Sequence, residues 1–237
     1  PKFYGKQKKD DCLIIQYIHS QSLNKVVKTL TKEDKIAILI ELMLIIKYLH
    51  NNNYIYRDLK PNNVIIDENK TVFLIDFDRM IKLNSPKRKI EDITIDFQSE
   101  FVAPEINYGD ISDKNDTYSL GMMMKYLELT NENDFINSLF LKCIDCKANQ
   151  RPSVFEFMSQ FYSIFIQHLN KIFIDNFPEV QYLQGIIYYE GKYISRDINK
   201  SIQYLTLAAN PNYPKAQFVL GFIYYEGQYI TRDINKS

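Results

Sequence analysis

The feature that most constrains the fold is a pair of polar motifs joined by two short apolar runs. The first motif reads Tyr-Arg-Asp-Leu-Lys-Pro-Asn-Asn over residues 56–63, and the second reads Asp-Phe-Asp over residues 76–78. The runs between them, 64–66 and 72–75, are β-branched or aromatic and flank a polar turn, which predicts a β-hairpin. The pattern therefore indicates a loop, a strand, a turn and a strand within a short span.

The residue types in these motifs suit phosphoryl transfer, in which a protein supplies position and charge neutralisation rather than covalent chemistry. Asp58 could accept or orient a hydroxyl proton, and Lys60 could contact a phosphate oxygen. Asn63 and Asp76 carry oxygen ligands, which Mg²⁺ prefers, and this ion takes only one or two of them from protein. The structural alternative for Asp58 is a loop aspartate that satisfies local amides.

At these residues the chain resembles the eukaryotic-type protein kinases, whose catalytic loop reads H-R-D-L-x-x-x-N and whose metal motif is D-F-G. Further landmarks follow in the family's order, namely Ala-Pro-Glu at 103–105, Asp-Thr-Tyr-Ser-Leu-Gly at 116–121 and Arg-Pro-Ser at 151–153. The resemblance implies the C-terminal lobe of a kinase, an α+β fold that is mainly helical with small β elements.

The resemblance also implies a role for each matching residue. Asp58 and Lys60 match the catalytic pair, and the lysine favours Ser and Thr over Tyr as acceptors. Lys60, Asn63 and Asp76 would bind ATP, with Asn63 and Asp76 holding Mg²⁺. The residues that match structural positions of the family are Arg57, Phe77, Glu105, Asp116 and Arg151.

Upstream, residues 12–18 have strand character, and Gln16-Tyr17-Ile18 resembles the hinge of the family. Backbone groups of Gln16 and Ile18 would then contact the adenine of ATP, although an ordinary core strand explains the same residues. Only 15 residues precede Gln16. The resemblance is therefore to a kinase domain truncated at its N-terminus, and these 237 residues alone are expected to be inactive.

Three further segments are predicted from capping residues, periodicity and composition. Thr31 begins a helix that runs to about His50, because acidic residues fill its first turn. Residues 82–100 are polar and aperiodic, which indicates a loop. Residues 115–168 are predicted to be helical, with breaks near Asn131 and at Pro152. The short gap near Asn131 leaves no room for the substrate-docking helix of the family.

The last part of the chain repeats itself at an offset of 36 residues. Gly-Ile-Ile-Tyr-Tyr-Glu-Gly at 185–191 recurs as Gly-Phe-Ile-Tyr-Tyr-Glu-Gly at 221–227, and residues 196–201 recur identically at 232–237. A period of this length predicts stacked helical hairpins. The sequence of the repeat resembles Sel1-like repeats, which are relatives of the tetratricopeptide repeats. This resemblance implies an α/α solenoid and a protein partner.

Together these predictions divide the chain into a kinase-like domain at 1–168 and about one and a half Sel1-like repeats at 177–237. The implied function is transfer of the ATP γ-phosphoryl group to Ser or Thr hydroxyls of a protein substrate. The alternatives are a pseudokinase scaffold that binds proteins through the repeats, and a repeat adaptor with a decayed kinase segment. Asp78, where the family has Gly, favours the scaffold.

Composition limits the partners. Lys plus Arg and Asp plus Glu both number 29, so the formal net charge is zero. This composition does not indicate binding to nucleic acid or to an anionic membrane surface. The most apolar run, residues 36–49, is too short to span a bilayer. Three cysteines and no leader segment lead us to expect a cytoplasmic protein.

Overall fold

The structure is a computed structural model, and it describes residues 3–7, 12–15, 17–83, 99–131, 133–165, 178–191 and 194–226. The chain divides into two compact units, residues 1–154 and 155–237, which are described in turn.

The residues that the structure describes in the first unit form three small antiparallel sheets. The first sheet pairs β1 (Phe3–Gln7) with β2 (Cys12–Ile15). The second has three strands in the order β3 (Ser20–Ser22), β5 (Val64–Asp67) and β6 (Val72–Leu74). The third pairs β4 (Tyr54–Ile55) with β7 (Ile81–Lys82).

The predicted hairpin is confirmed as the β5–β6 pair, in which Val64 lies opposite Leu74. Its turn is built by Asp67, whose carboxylate accepts the backbone N–H groups of Asn69 at 2.9 Å and Thr71 at 2.8 Å. An aspartate that bonds the backbone two residues ahead is a common turn former. The hairpin therefore closes where the polar residues interrupt the two apolar runs.

Two boundary predictions were wrong. Strand β2 ends at Ile15, and Tyr17 and Ile18 lie outside any strand, where the Ile18 carbonyl accepts the Ser20 hydroxyl at 3.1 Å. Lys82 belongs to β7 rather than to a loop, because it pairs with Tyr54 across the sheet. Gln16 and residues 84–98 lie outside the described residues.

The described part of the first unit contains four helices. They are α1 (Leu23–Val26), α2 (Lys32–Asn51), α3 (Lys114–Tyr126) and α4 (Asp134–Cys143), and short 3₁₀ turns occur at Val27–Thr29, Pro61–Asn63, Pro104–Tyr108 and Ala148–Gln150.

Helix α2 begins where the sequence predicts, with a reciprocal cap. The Asp34 amide donates to the Thr31 hydroxyl at 3.2 Å, and the Thr31 amide donates to the Asp34 carboxylate at 3.1 Å. Lys70, in the turn of the hairpin, contacts the same carboxylate at 2.7 Å. This capping box satisfies helix donors that lack an intrahelical partner and ties the hairpin to the helix.

The core of this unit forms around α2 and α3. Helix α2 buries Ile36, Leu39, Met43 and Ile46, a spacing of three and four residues that places them on one face. Gly121 of α3 lies against α4, where an added Cβ would stand 2.7 Å from the Cβ of Cys143.

The elements that the structure describes in the second unit are all helices, joined by turns. Its helices are α5 (Val154–Phe165, of which Val154 falls in the first unit), α6 (Pro178–Glu190), α7 (Ile198–Ala209) and α8 (Pro214–Glu226).

The predicted helical hairpins are confirmed, since α6 packs on α7 and α7 packs on α8. The close packing of α6 on α7 requires the glycine at position 185, because a Cβ there would lie 2.6 Å from Cγ of Leu205. The Asp197 carboxylate caps α7 by accepting the Lys200 amide at 3.0 Å. A buried cluster joins α7 to α8, and its members are Leu205, Ala208, Ala216, Leu220 and Ile223.

Candidate active site

The loop of residues 56–63 lies between β4 and β5, and a side chain of α3 anchors its backbone. The carboxylate of Asp116, which has no solvent exposure, accepts the amide N–H of Tyr56 at 2.9 Å and that of Arg57 at 2.8 Å. His50, at the end of α2, contacts the same carboxylate through Nε2 at 2.7 Å. One buried side chain therefore organises the loop main chain.

Arg57 adopts φ 71°, a left-handed conformation that is uncommon for a residue with a side chain. Such conformations persist where the surroundings over-determine them, and they cluster at functional sites. Here the hydrogen bond from the Arg57 amide to Asp116 supplies that constraint. The backbone turn orients the next residue, Asp58.

Asp58 lies at the centre of the polar cluster and is only 4% exposed. Its carboxylate accepts the Asn63 amide nitrogen at 2.7 Å, and the same nitrogen also donates to the Asp58 carbonyl at 2.9 Å. Lys60 Nζ lies 3.1 Å from each carboxylate oxygen. Loop 56–63 thus brings the predicted catalytic pair and one predicted metal ligand into direct contact.

A second cation reaches Asp58 from outside the loop. Nη1 of Arg79 lies 2.9 Å from Oδ1 of Asp58. Arg79 is not among the residues predicted from the sequence, although it directly follows the Asp-Phe-Asp motif. His50 is not among them either, and its spacing from the motifs gave no signal for the contact with Asp116.

Asp76 joins the site through the backbone of the neighbouring residue. The Ile75 amide donates to the Asn63 carbonyl at 3.0 Å, which holds the two predicted metal ligands on adjacent segments. Asp76 itself is exposed and adopts φ 62°, which aspartate tolerates better than most residues. Its neighbour Asp78, where the family has glycine, does not adopt a positive φ, so the side chain imposes no strain there.

Tyr56 and Phe77 support this arrangement. The Tyr56 hydroxyl donates to the Ile75 carbonyl, and its ring packs edge to face on Phe77 with centroids 5.5 Å apart. Burial, reinforced by the charges of Asp58 and Asp76, raises the pKa of Tyr56. The phenol therefore stays protonated and remains a donor to the segment that carries Asp76.

The guanidinium of Arg57 is partly desolvated and incompletely hydrogen-bonded. Burial lowers its pKa, with Asp116 opposing and Arg79 reinforcing that shift. Its Nη1 donates to the Arg79 carbonyl at 3.4 Å, and its buried Nε has no hydrogen-bond partner among the described residues.

The donor set fits Mg²⁺. The Asn63 side-chain oxygen and the Asp76 carboxylate are hard oxygen ligands, and their two segments are joined by the Ile75–Asn63 hydrogen bond. The Asn63 nitrogen is engaged by Asp58, so the oxygen is the atom of this amide that could ligate a cation.

The predicted pair of Glu105 and Arg151 forms a forked contact, with Nη1–Oε1 at 2.6 Å and Nη2–Oε2 at 2.8 Å. The arginine also donates through Nε to the Asp145 carbonyl at 2.7 Å, and Asn115 donates to Glu105 at 2.6 Å. Parallel donor pairs of this kind are both strong and geometrically specific. The contact holds the 3₁₀ turn Pro104–Tyr108 near the start of α3.

The predicted hinge residues are not linked to this cluster by any contact that the structure describes. Ile18 is half-buried, Tyr17 is 85% exposed, and Gln16 lies outside the described residues.

Comparison with known families agrees with this architecture. A model of the protein kinase domain matches residues 2–169, and a model of the Sel1 repeat matches residues 178–210 and 214–237. The chain therefore belongs to the protein kinase family, and its kinase domain is followed by Sel1 repeats.

Individual relatives are also kinases by name. The chain is 44% identical over 96 residues to a protein of Acanthamoeba polyphaga mimivirus whose name calls it a serine/threonine-protein kinase, R436, covering 39% of this chain and 33% of that one. It is 31% identical over 135 residues to serine/threonine-protein kinase D of Synechocystis, covering 53% and 26%. It is 37% identical over 99 residues to sperm motility kinase Z of Mus musculus, covering 40% and 19%. The chain thus spans a third or less of each of these relatives.

Within the part of the chain that the structure describes, no helix is both long and apolar enough to cross a bilayer.

Proposed function

We propose that the full-length protein transfers the γ-phosphoryl group of ATP to Ser or Thr hydroxyls of a protein substrate. The observation that carries this proposal is the environment of Asp58. This almost fully buried carboxylate is held by Asn63 at 2.7 Å and faces Lys60 at 3.1 Å. A fixed carboxylate beside a cation can orient a hydroxyl while the cation meets the incoming phosphate.

In the proposed reaction, the acceptor oxygen bonds to the γ-phosphorus as the bond to the β-phosphate oxygen breaks. Asp58 orients the acceptor hydroxyl and receives its proton, and Lys60 contacts the transferring phosphate. Asn63 and Asp76 would hold Mg²⁺, which when bound supplies charge neutralisation to the phosphates. Gln16 and Ile18 would meet the adenine through backbone groups.

The proposed preference for Ser and Thr rests on Lys60 and on the names of the relatives. Tyrosine kinases usually carry Ala or Arg at the position of Lys60, whereas this chain has the lysine against Asp58. Peptides that differ only in having Ser, Thr or Tyr as the acceptor test the preference. Tyr phosphorylation equal to that of Ser and Thr would contradict it.

The repeats are proposed to bind a protein partner. The supporting observation is an aromatic face on α8, where Phe218 is 75% exposed and Tyr225 is 59% exposed. If this face binds a partner, Phe218→Ser should weaken capture of that partner, and Gln203→Ala on the exposed side of α7 should not. Equal capture by both variants would contradict the assignment.

A pseudokinase scaffold is the second candidate, and one observation favours it: Asp58 is already paired with Arg79 at 2.9 Å. Two measurements separate the candidates. Mg-ATP should raise the melting temperature if the folded protein binds nucleotide, because such a ligand stabilises only the folded state. Asp76→Asn should reduce that shift. A shift with no transfer to any peptide supports the scaffold, and a shift with transfer supports the enzyme.

A further inference from the structure

The contact between Arg79 and Asp58 has a consequence that follows from the acceptor capacity of a carboxylate. Two carboxylate oxygens offer about four lone-pair directions. In Asp58, Oδ2 receives Asn63 Nδ2 at 2.7 Å and Oδ1 receives Arg79 Nη1 at 2.9 Å, while Lys60 Nζ lies 3.1 Å from both oxygens. Both lone-pair directions of Oδ1 are therefore filled by groups of this chain, and Oδ2 accepts one hydrogen bond, from Asn63.

An acceptor hydroxyl that binds at Oδ1 must displace Lys60 or Arg79. Asn63 is held by two hydrogen bonds to the same residue, since its nitrogen also donates to the Asp58 carbonyl at 2.9 Å. Lys60 is two residues away in the same loop. Arg79 comes from a separate segment and is 19% exposed at its side chain. It is therefore the group that can leave without distorting loop 56–63.

The main chain of Arg79 is positioned for this contact. The Met80 amide donates to the Phe77 carbonyl at 3.0 Å, which closes a turn with Asp78 and Arg79 at its centre. Arg57 Nη1 donates to the Arg79 carbonyl at 3.4 Å. The turn aims the guanidinium at Asp58, while the length of the side chain allows it to withdraw.

Resting on the proposed function, we propose that Arg79 is a gating residue, which caps Oδ1 of Asp58 and must withdraw before an acceptor hydroxyl can bind to that oxygen. It competes with the hydroxyl for Oδ1 and does not take part in the bond changes. Because Asn63 and Lys60 already hold Asp58, Arg79 is not needed to position the carboxylate. A capped population lowers the apparent rate in proportion to the fraction that is closed.

The test compares peptide phosphorylation by the full-length protein with that of Arg79→Ala and Arg79→Lys. Removing the cap should raise kcat/KM for the peptide by about tenfold, the scale expected for losing one charge-assisted hydrogen bond. The lysine variant should lie closer to wild type, because it keeps the charge. Lys82→Ala, which removes a cation three residues further along the chain, is the matched control and should leave kcat/KM unchanged.

A purely structural role for Arg79 predicts the opposite result, because the alanine variant would then lose stability and activity together. A kcat/KM for Arg79→Ala that is equal to or below that of wild type, while wild type transfers phosphate, would overturn the gate and leave the proposed function standing. No transfer from wild type or from any variant would overturn both, since removing the cap would then expose no activity.

Discussion

The carboxylate of Asp116 accepts the Arg57 amide at 2.8 Å, and Arg57 is the residue of loop 56–63 that holds a left-handed backbone. A side chain on α3 thereby fixes the backbone immediately before Asp58. The proposed chemistry depends on this relationship, because Asp58 is oriented by the turn that Asp116 holds.

Replacing Asp116 by Asn should lower both stability and activity. The variant keeps one acceptor oxygen but presents an amide N–H₂ to a backbone donor, so one buried N–H loses its partner. We expect the free energy of unfolding to fall by about 1–3 kcal/mol, and kcat for phosphate transfer to fall as well. Urea unfolding and peptide phosphorylation measure the two effects.

Asp113→Asn, at the N-cap of the same helix, is the control for this substitution, because the Asp113 side chain makes no capping hydrogen bond. If Asp116→Asn behaved like Asp113→Asn, the anchoring role of Asp116 would be wrong.

Replacing Tyr56 by Phe should weaken the segment that carries Asp76. The ring contact with Phe77 is kept, but the Ile75 carbonyl loses the hydroxyl that donates to it. We expect a loss of about 1–3 kcal/mol in stability, together with weaker binding of Mg-ATP. Titration of Mg-ATP by calorimetry tests the second effect. Tyr54→Phe on β4 is the matched control, and equal nucleotide affinity in both variants would contradict the prediction.

The stability of the first unit should depend on the protonation of Glu41. Burial raises the pKa of this carboxyl to about 7 from its ordinary value of 4.5; a hydrogen bond from the Val72 amide opposes the shift and the charge of Asp67 reinforces it. Because the folded-state pKa is raised, the stabilising contribution is fully present below about pH 4.5 and is lost as the pH rises through about 7.

Glu41→Gln removes this titration while keeping a side-chain oxygen for the Val72 amide. Relative to wild type, the variant should therefore gain stability between pH 5 and pH 8, as measured by urea unfolding at each pH. Glu33→Gln, at an exposed position of the same helix, is the control. A constant difference between Glu41→Gln and wild type across this range would refute the coupling.

The sequence predicted those parts of the fold that local chemistry determines. The capping pair of Thr31 and Asp34 and the turn residue Asp67 each act on the backbone within four positions, so their elements are visible in the sequence. Strand ends are less local. Ile81 pairs with Ile55, which lies 26 residues earlier in the chain. The polar composition of residues 82–100 predicts a loop, so the end of this strand was not visible in the sequence.

The site was predictable in its residue types but not in its contacts. Asp58, Lys60, Asn63 and Asp76 stand in motifs whose spacing is fixed by one loop and one hairpin. Arg79 and His50 reach the site from the flanking segments, and only the folded chain shows that Arg79 touches Asp58 and that His50 touches Asp116. Long charged side chains can contact several neighbours, so their partners do not follow from sequence spacing.

Gly185 provides a test of the packing in the second unit. A methyl group at this position would lie 2.6 Å from Leu205 Cγ and 3.2 Å from the Leu205 amide nitrogen, so both a side chain and a helix backbone would have to move. Gly185→Ala should destabilise this unit by about 1–3 kcal/mol, despite the better helix propensity of alanine. Urea unfolding followed by circular dichroism measures the loss. A stability equal to that of Gln203→Ala, a substitution on the exposed side of α7, would show that α6 and α7 do not pack this closely.

Asp58 is proposed to serve phosphate transfer, and radiolabelled phosphate incorporation into a Ser/Thr peptide by the full-length protein tests this role most directly. Wild type and Asp110→Asn, which alters an exposed carboxylate outside the site, should label the peptide equally. Asp58→Asn should reduce labelling by at least about 100-fold, within the range that acid–base groups contribute to catalysis. Equal labelling by Asp58→Asn and wild type would contradict the role of Asp58.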